Sequence, residues 1–303
     1  MPGNMPANLD RRKQSKPMTH RLSSSNIPVW KHRFVGISGG IPRECHNRAH
    51  LSHRLPAMSD LPRVALVTGA AKRIGAAIAR ALHADGYALA LHYRGSAEQM
   101  QALADELEAA RAGSTLVLQA ELGDAEQLPM LVARTVQRFG RLDALVNNAS
   151  AYYATPVGTA TPQQWDELFA SNARAPFFLS QAAAPHLKDS GGAIVSIADI
   201  YARRPLPEHT VYCMAKAALV MMTQSLAREL GPQVRVNAIA PGNILWSENP
   251  VKAETEAVLH ERVPLQRQGS PADIVSTVRW LLDGNSYING QIIAIDGGRS
   301  TFM

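Results

Sequence analysis

A chain of 303 residues, 46% hydrophobic and 18% charged, is long enough for one large α/β domain and is composed like a globular protein. Its formal charge of +6 is uneven: residues 1–57 hold ten Lys and Arg against two Asp and Glu, whereas residues 58–303 hold 21 against 23. Two cysteines, Cys45 and Cys213, and no apolar run near the ~18 residues of a membrane span exclude a disulfide scaffold and a helical membrane protein, and fit the reducing cytoplasm, where the protein is expected.

Residues 1–57 are rich in Pro, Ser, Asn, His and Arg and lack a sustained apolar period. Such a composition cannot bury enough surface to offset its ordering entropy, so a disordered basic extension is expected. It has no apolar stretch of the kind a secretory signal carries. A nucleic-acid-binding arm and an Arg-rich transit peptide are alternative readings of the same charge. The globular pattern, however, opens just after Met58, at MSDLPRVALVTG. Met58 is therefore the expected start of translation and 58–303 the expected domain, with neither nucleic acid nor membrane as a partner.

Arg63 to Thr68 is a β-branched apolar run and predicts the first buried strand of a parallel sheet. Gly69 ends it, and from Ile74 the spacing of Ile78, Ala81 and Leu82 predicts a helix closing at Asp85-Gly86. Strand, glycine turn and helix start form a dinucleotide site for two reasons. Small residues let the backbone approach a pyrophosphate, and a helix amino terminus offers free N–H groups and partial positive charge. The spacing departs from G-x-G-x-x-G, because Gly69 and Gly75 stand six apart with Lys72 and Arg73 in the turn.

Tyr87 to Tyr93 predicts the second strand. A carboxylate just beyond it would accept from a ribose 2′-hydroxyl, whereas a base would take the 2′-phosphate of NADP. The chain has Arg94-Gly95-Ser96 there and no carboxylate before Glu98. Arg94, with Arg73 as a second charge, predicts NADPH as cofactor. Ala97 to Arg111 predicts an amphipathic helix on Met100, Leu103, Ala104 and Leu107. Ser114 to Leu118 predicts a third strand ending near Glu121-Leu122. Asp124 is a candidate cap for a helix over Ala125–Phe139. Ala144 to Val146 predicts a fourth strand that ends in Asn147-Asn148-Ala149-Ser150.

Thr161-Pro162 caps a predicted helix through Trp165 and Phe169, and a further helix over Ala173–Leu187 is expected to be interrupted by Pro185. Ala193 to Ala198 is the fifth strand, ending at Asp199. Thr210 opens a helix to Leu230 that is apolar on more than one side, which predicts burial against another subunit. Val234 to Ile239 is the sixth strand. From Gly242 to about Pro264, around Trp246, a mobile substrate loop with a short helix is expected. Pro271 starts a helix through Leu282, and Gln291 to Ile295 is the last strand. The alternation predicts an α/β fold: a single Rossmann-like, doubly wound parallel sheet of about seven strands with helices on both faces. Ligands bind such sheets at the carboxyl ends of strands, and Gly69, Arg94, Glu121-Leu122, Asn148 and Asp199 all end strands.

Tyr212 and Lys216 stand four apart and share one helix face. A Lys⁺ beside a phenol favours phenolate, so Lys216 is expected to lower the Tyr212 pKa from its usual ~10 towards neutrality and fit it for proton transfer. Cys213 reads as a packing residue. His83, His92, His186 and His209 are scattered, and no metal site is expected.

The chain from Pro62 onward resembles the short-chain dehydrogenase/reductases through Thr68–Gly75, Asn147-Asn148-Ala149, Asn172, Tyr212 with Lys216, and Pro241-Gly242. Within that family it is most similar to the pteridine reductases, through TGAAKRIG, LHYRGS, NNASAYY, SNARAPFFL, Asp199 and YCMAKAAL. The resemblance implies Tyr212 as proton donor, Lys216 as ribose ligand and partner of Tyr212, and Asn172 as holder of a relay water. It implies cofactor contacts at Gly69, Arg73, Ile74, Tyr93, Arg94, Ser96, Leu122, Asn148, Ala149, Ser150, Pro241 and Gly242. Tyr152 matches the aromatic residue that stacks on the pterin, with Arg73 and Ser150 also beside it. The Asp296-Gly297-Gly298 ending resembles the carboxyl terminus at the family's tetramer interface, which implies a homotetramer. Glu121 departs from the family, which usually has Asp next to the adenine.

Most of the family places Ser thirteen residues before the catalytic Tyr, and here that place holds Asp199. An ionised carboxylate only accepts hydrogen bonds. It repels a ketone oxygen gaining negative charge and favours a heterocycle with N–H groups or a nitrogen that must gain a proton. The expected function is therefore NADPH-dependent reduction of dihydropterins, biopterin or dihydrofolate. Capping, or pairing of Asp199 with Arg203 or Arg204, is the plainer alternative for that residue. A carbonyl reductase of the same fold and a non-enzymic nucleotide-sensing regulator are the rival functions.

Overall fold

The computed structural model describes residues 61–244, 261–283 and 287–301. The expectations for residues 1–57 and for the segment around Trp246 lie outside the described residues.

The seven strands are β1 (Val64–Val67), β2 (Ala88–Tyr93), β3 (Thr115–Gln119), β4 (Ala144–Asn147), β5 (Ala193–Ile197), β6 (Arg235–Pro241) and β7 (Ile292–Ile295). Every pairing is parallel and the order is β3-β2-β1-β4-β5-β6-β7. The helices that return the chain are α1 (Arg73–Ala84), α2 (Ala97–Ala110), α3 (Gln127–Phe139), α4 (Pro162–Phe169), α5 (Ala175–Ser190), α6 (Thr210–Leu230) and α7 (Pro271–Leu282).

Strand alternation sets the two layers. Ala65 and Val67 of β1 pack with Ile78 and Leu82 of α1, Met100 and Leu103 of α2, and Ile274 and Val278 of α7. Val64 and Leu66 turn the other way, towards Leu128 and Leu131 of α3, Leu179 and Leu187 of α5, and Leu226 of α6. With both faces covered, the strands read as continuous apolar runs, as parallel sheets do. The order reverses between β1 and β4, so the crevice of a doubly wound sheet opens beyond the ends of those two strands.

Several boundaries differ from expectation. α3 starts at Gln127, not Ala125, because Asp124 uses Oδ1 to accept from the Glu126 N–H and Oδ2 to accept from the Gln127 side chain. That local turn ends before the helix begins. Pro185 does not interrupt α5, which runs on to Ser190. The hydrogen bond it cannot make falls opposite Gln181, an exposed residue whose carbonyl water can serve. α5 also begins later than Ala173, because Ala170–Arg174 forms a π-helical turn between it and α4. α4 itself is fixed by a capping box: Thr161 Oγ1 accepts from the Gln164 N–H at 3.2 Å, and Gln164 Oε1 accepts from the Thr161 N–H at 2.9 Å.

Candidate active site

The crevice is stapled where β1 meets β4. Thr68 Oγ1 accepts from the N–H groups of Asn148 at 2.9 Å and Ala149 at 3.1 Å and donates to the Val146 carbonyl at 3.3 Å. Asn148 Nδ2 donates to the carbonyls of Thr68 at 2.9 Å and Gly69 at 3.0 Å. Gly69 has φ +62°, and an added Cβ would lie 3.0 Å from Ala149 Cα. A Cβ at Gly75 would fall on the Gly69 carbonyl oxygen. Only glycine allows this close approach of turn, helix and neighbouring strand.

The first turn of α1 carries no acidic side chain, and Ile74 just inside it is buried. Arg73 opens the helix from the left-handed region, at φ +54°, and is exposed. Arg94 is also exposed and lies 4.0 Å from Glu121, while its carbonyl accepts from Gln119 Nε2 at 3.0 Å. Tyr93 is half-buried, Leu122 is buried, and Ser96 leads into α2 without a side-chain cap. At the far side, the Gly242 N–H donates to the Ile295 carbonyl at 3.0 Å, directly after Pro241 closes β6. A Cβ on Gly242 would meet Asp296 Cβ at 2.6 Å. This glycine cradle, flanked by cations and free of nearby carboxylates on α1, fits a dinucleotide pyrophosphate.

The second cluster forms where β5 ends beside α6. Tyr212 Oη donates to Asp199 Oδ2 at 2.7 Å. Asp199 Oδ1 accepts from the Tyr201 N–H at 2.9 Å and so caps the 3-10 turn Ile200–Ala202. The capping half of the plainer reading therefore holds alongside the contact with Tyr212. Arg203 and Arg204 are both exposed and form no ion pair with Asp199 among the described residues. Lys216 is buried and donates from Nζ to the Ile197 carbonyl at 2.9 Å. Asn172 sits fully buried in the π-helical turn, where Nδ2 donates to the carbonyls of Ala151 and Leu168, both at 2.9 Å. Ser150 Oγ donates to Asn172 Oδ1 at 2.7 Å. Tyr152 lies edge-on to Tyr212, with ring centroids 4.9 Å apart, and stacks on His209 at 4.9 Å and 17°. Tyr153 instead hydrogen-bonds to Glu167, 3.0 Å away.

The electrostatics correct one expectation. The Tyr212 phenol is held well above its ordinary range, not lowered. Burial disfavours the phenolate first, and the neighbouring Asp199 carboxylate adds to the effect. Lys216 does not offset this, because Nζ lies 5.8 Å from the Tyr212 ring centre and points at Ile197. Burial also pushes the Asp199 carboxyl up, against the opposing hydrogen bonds from Tyr201 and Tyr212. The same cause pushes Lys216 down to about 8.

The reading from sequence brought Gly69, Asn148, Asp199, Tyr212 and Lys216 to the correct strand ends and faces. It passed over three residues of the same region. Thr68 was visible as a strand-end hydroxyl before Gly69. His209 lies three residues before Tyr212, one helical turn away. His92 lies within β2, where period alone gives it no role. Ser196, within β5, is buried and lies 3.4 Å from Asn147 Nδ2. Cys213 packs beside Leu168 and Val211. Among the described residues no group of His, Cys, Asp and Glu could hold a metal ion.

A family model described as enoyl-(acyl carrier protein) reductase matches residues 69–300. Pteridine reductase 1 of Leishmania tarentolae is 37% identical over 279 residues, spanning 78% of this chain and 96% of that protein. The 3-oxoacyl-acyl-carrier-protein reductase FabG of Staphylococcus aureus is 34% identical over 238 residues, spanning 77% and 96%. The solved structure of a doubly substituted short-chain dehydrogenase/reductase from Serratia marcescens superposes with a TM-score of 0.73 at 36% identity, covering 78% of this chain and 98% of that one. A seven-stranded parallel sheet in this order, the Tyr212–Lys216 pair beside a strand-end acceptor, and these likenesses over three quarters of its length give one conclusion: the chain is an oxidoreductase that belongs to the short-chain dehydrogenase/reductase family.

Proposed function

We propose that this oxidoreductase is an NADPH-dependent pteridine reductase. Its substrates are dihydropterins of the dihydrobiopterin kind, with biopterin and dihydrofolate, which it reduces to the tetrahydro forms as a cytoplasmic homotetramer. The carrying observation is the 2.7 Å hydrogen bond from Tyr212 to Asp199, at the place where the family usually has a serine hydroxyl. A carboxylate there accepts from the amine and ring N–H groups of a pterin, which a serine in a ketone site is not placed to do.

Family members use a nicotinamide cofactor, and in the reduced form it supplies a hydride when bound. Gly69, Ile74, Asn148, Ala149, Pro241 and Gly242 would hold it. Arg73, Tyr93, Arg94 and Ser96 would take its phosphates, and Leu122 would line the adenine. Tyr212 and Asp199 share a proton, and both keep it to higher pH than free side chains do. From that pair Tyr212 can pass its proton to a ring nitrogen, while the Asp199 carboxylate accepts from the pterin N–H groups. Lys216 stays mostly charged at pH 7 and can turn from Ile197 to a ribose hydroxyl. Asn172 and Ser150 hold the wall beside Ala151. Tyr152, more than half exposed, offers a ring face to a flat heterocycle, worth about 0.5–1.5 kcal/mol beyond burial.

The likeness to the Staphylococcus aureus 3-oxoacyl reductase favours one rival, a carbonyl reductase on this fold. NADPH consumption measured with dihydrobiopterin, biopterin, dihydrofolate and an acetoacetyl thioester separates the two. Turnover of the pterins is expected. Turnover of the thioester alone overturns the proposal.

A further inference from the structure

His92 is buried in β2, with 1% of its surface exposed, on the strand beside the glycine turn. Its Nδ1 lies 3.2 Å from the Gly69 nitrogen and its Nε2 lies 3.2 Å from the Ala120 carbonyl oxygen. A backbone N–H can only donate and a carbonyl can only accept. The neutral ring protonated on Nε2 is therefore the one form that satisfies both contacts. The main chain of the same residue adds a second hold, since the His92 carbonyl accepts from the Ala70 N–H at 2.8 Å. One residue thus clamps two consecutive N–H groups of the turn, while Asn148 clamps two consecutive carbonyls, those of Thr68 and Gly69, from the other side.

We infer that His92 is a positioning residue for the cofactor: its neutral imidazole fixes the Gly69 turn in the shape that receives the pyrophosphate, and protonation of that imidazole releases the turn. A second proton on the ring makes Nδ1 a donor facing the Gly69 N–H, also a donor. One of the two must then move, and Gly69 has no slack, because Ala149 and Asn148 close its other sides. The charged groups of the adjoining segments are Lys72 and Arg73 in the turn, Arg94 after β2 and Glu121 after β3. Of these, Glu121 acts on the ring and favours the proton, while burial acts against it and prevails. Neutral His92 is thus the resting form above the ordinary histidine range, and it is lost as pH falls below about 6.5 through the lowered value in the fold.

The inference rests on the crevice being the nucleotide site and is independent of the substrate. Its test is NADPH binding, followed by nicotinamide fluorescence from pH 8 to pH 5, in the full-length protein and in His92→Asn. The asparagine keeps an acceptor for Gly69 but does not titrate. The wild-type dissociation constant is expected to rise about tenfold per pH unit below the imidazole pKa. His92→Asn is expected to bind a few-fold more weakly at pH 8 and to lack that component. Titration of the 2′-phosphate, near pH 6, is common to both proteins and cancels in their ratio. Imidazole NMR of the unsubstituted protein should show the Nε2–H tautomer and a pKa below 6.5. Equal pH dependence in the two proteins, or an Nδ1–H tautomer, overturns the role of His92 while leaving the nucleotide site standing. Absence of NADPH binding to the wild-type protein at pH 8 overturns both.

Discussion

Asp199 is a cost to the fold that carries it. Burial raises its carboxyl pKa, so above that raised value the folded state holds a charge that water would hold better. Asp199→Asn keeps an acceptor for the Tyr201 N–H and removes the charge. We expect this variant to melt higher than wild type at pH 7, with the gain shrinking as pH falls through the raised value towards 3.8, the ordinary value for Asp. Its pterin turnover should drop at least about a hundredfold, the usual minimum for loss of an acid–base group. Thermal melts and NADPH consumption on the same samples check both; a lower melting point would show that the carboxylate is structural. Lys216 gives a second slope. Burial pushes it to about 8 from an ordinary 10.5, so the unfolded chain binds the extra proton between those values. The unliganded protein should therefore gain stability from pH 8 to pH 10.5 relative to Lys216→Met, and parallel melting curves for the two would refute the shift. Both residues were legible in the sequence by type and spacing. Their electrostatics were not, because the phenol's partner and the buried lysine's carbonyl come from β5 and its end, and spacing along α6 carries no information about them.

The turn between β1 and α1 shows how an element can be read correctly and still hide its strain. Its glycines and its position between strand and helix were visible in the sequence. That Arg73 would take φ +54° was not, since the residue string gives no sign of which position must turn left-handed. An L-residue there costs about 1–2 kcal/mol. Arg73→Gly should therefore raise the melting temperature by roughly 2–4 °C for each kcal/mol relieved in a domain of this size. It should also cut the preference for NADPH over NADH by about tenfold or more, through loss of a charge-assisted contact. Unchanged preference would remove Arg73 from the phosphate site. Helices with strong end signals were read to the residue: α6 over Thr210–Leu230 and α7 from Pro271 to Leu282. Misreadings fell where a local polar side chain or a tertiary neighbour decides, at Asp124, at Pro185 and in the π-helical turn around Asn172.

For the whole molecule, strand order follows from the β/α alternation and right-handed crossovers, and the observed order is the doubly wound one. Assembly is a different matter, because it depends on which apolar side chains the fold leaves uncovered. α5 leaves Phe177 and Phe178 part-exposed, α6 leaves Met214 at 42% and Met221 at 61%, and α7 leaves Trp280 at 52%. The Phe and Met residues lie on the two helices that frame Asn172 and Tyr212, so a partner seated there would brace the site from behind. A homotetramer predicts a mass by light scattering about four times the 32.8 kDa of the chain. Phe177→Glu combined with Met221→Arg puts charges where an apolar interface would bury them, which costs several kcal/mol for each unpaired ion. That double variant should scatter as a smaller species and lose turnover, while its far-ultraviolet dichroism stays unchanged because neither position is in the core. A wild-type mass equal to one chain at micromolar concentration would refute the assembly. A tetramer indifferent to both charges would move the interface to α7 and β7, where Trp280 stands out from the surface and Ala294 is exposed.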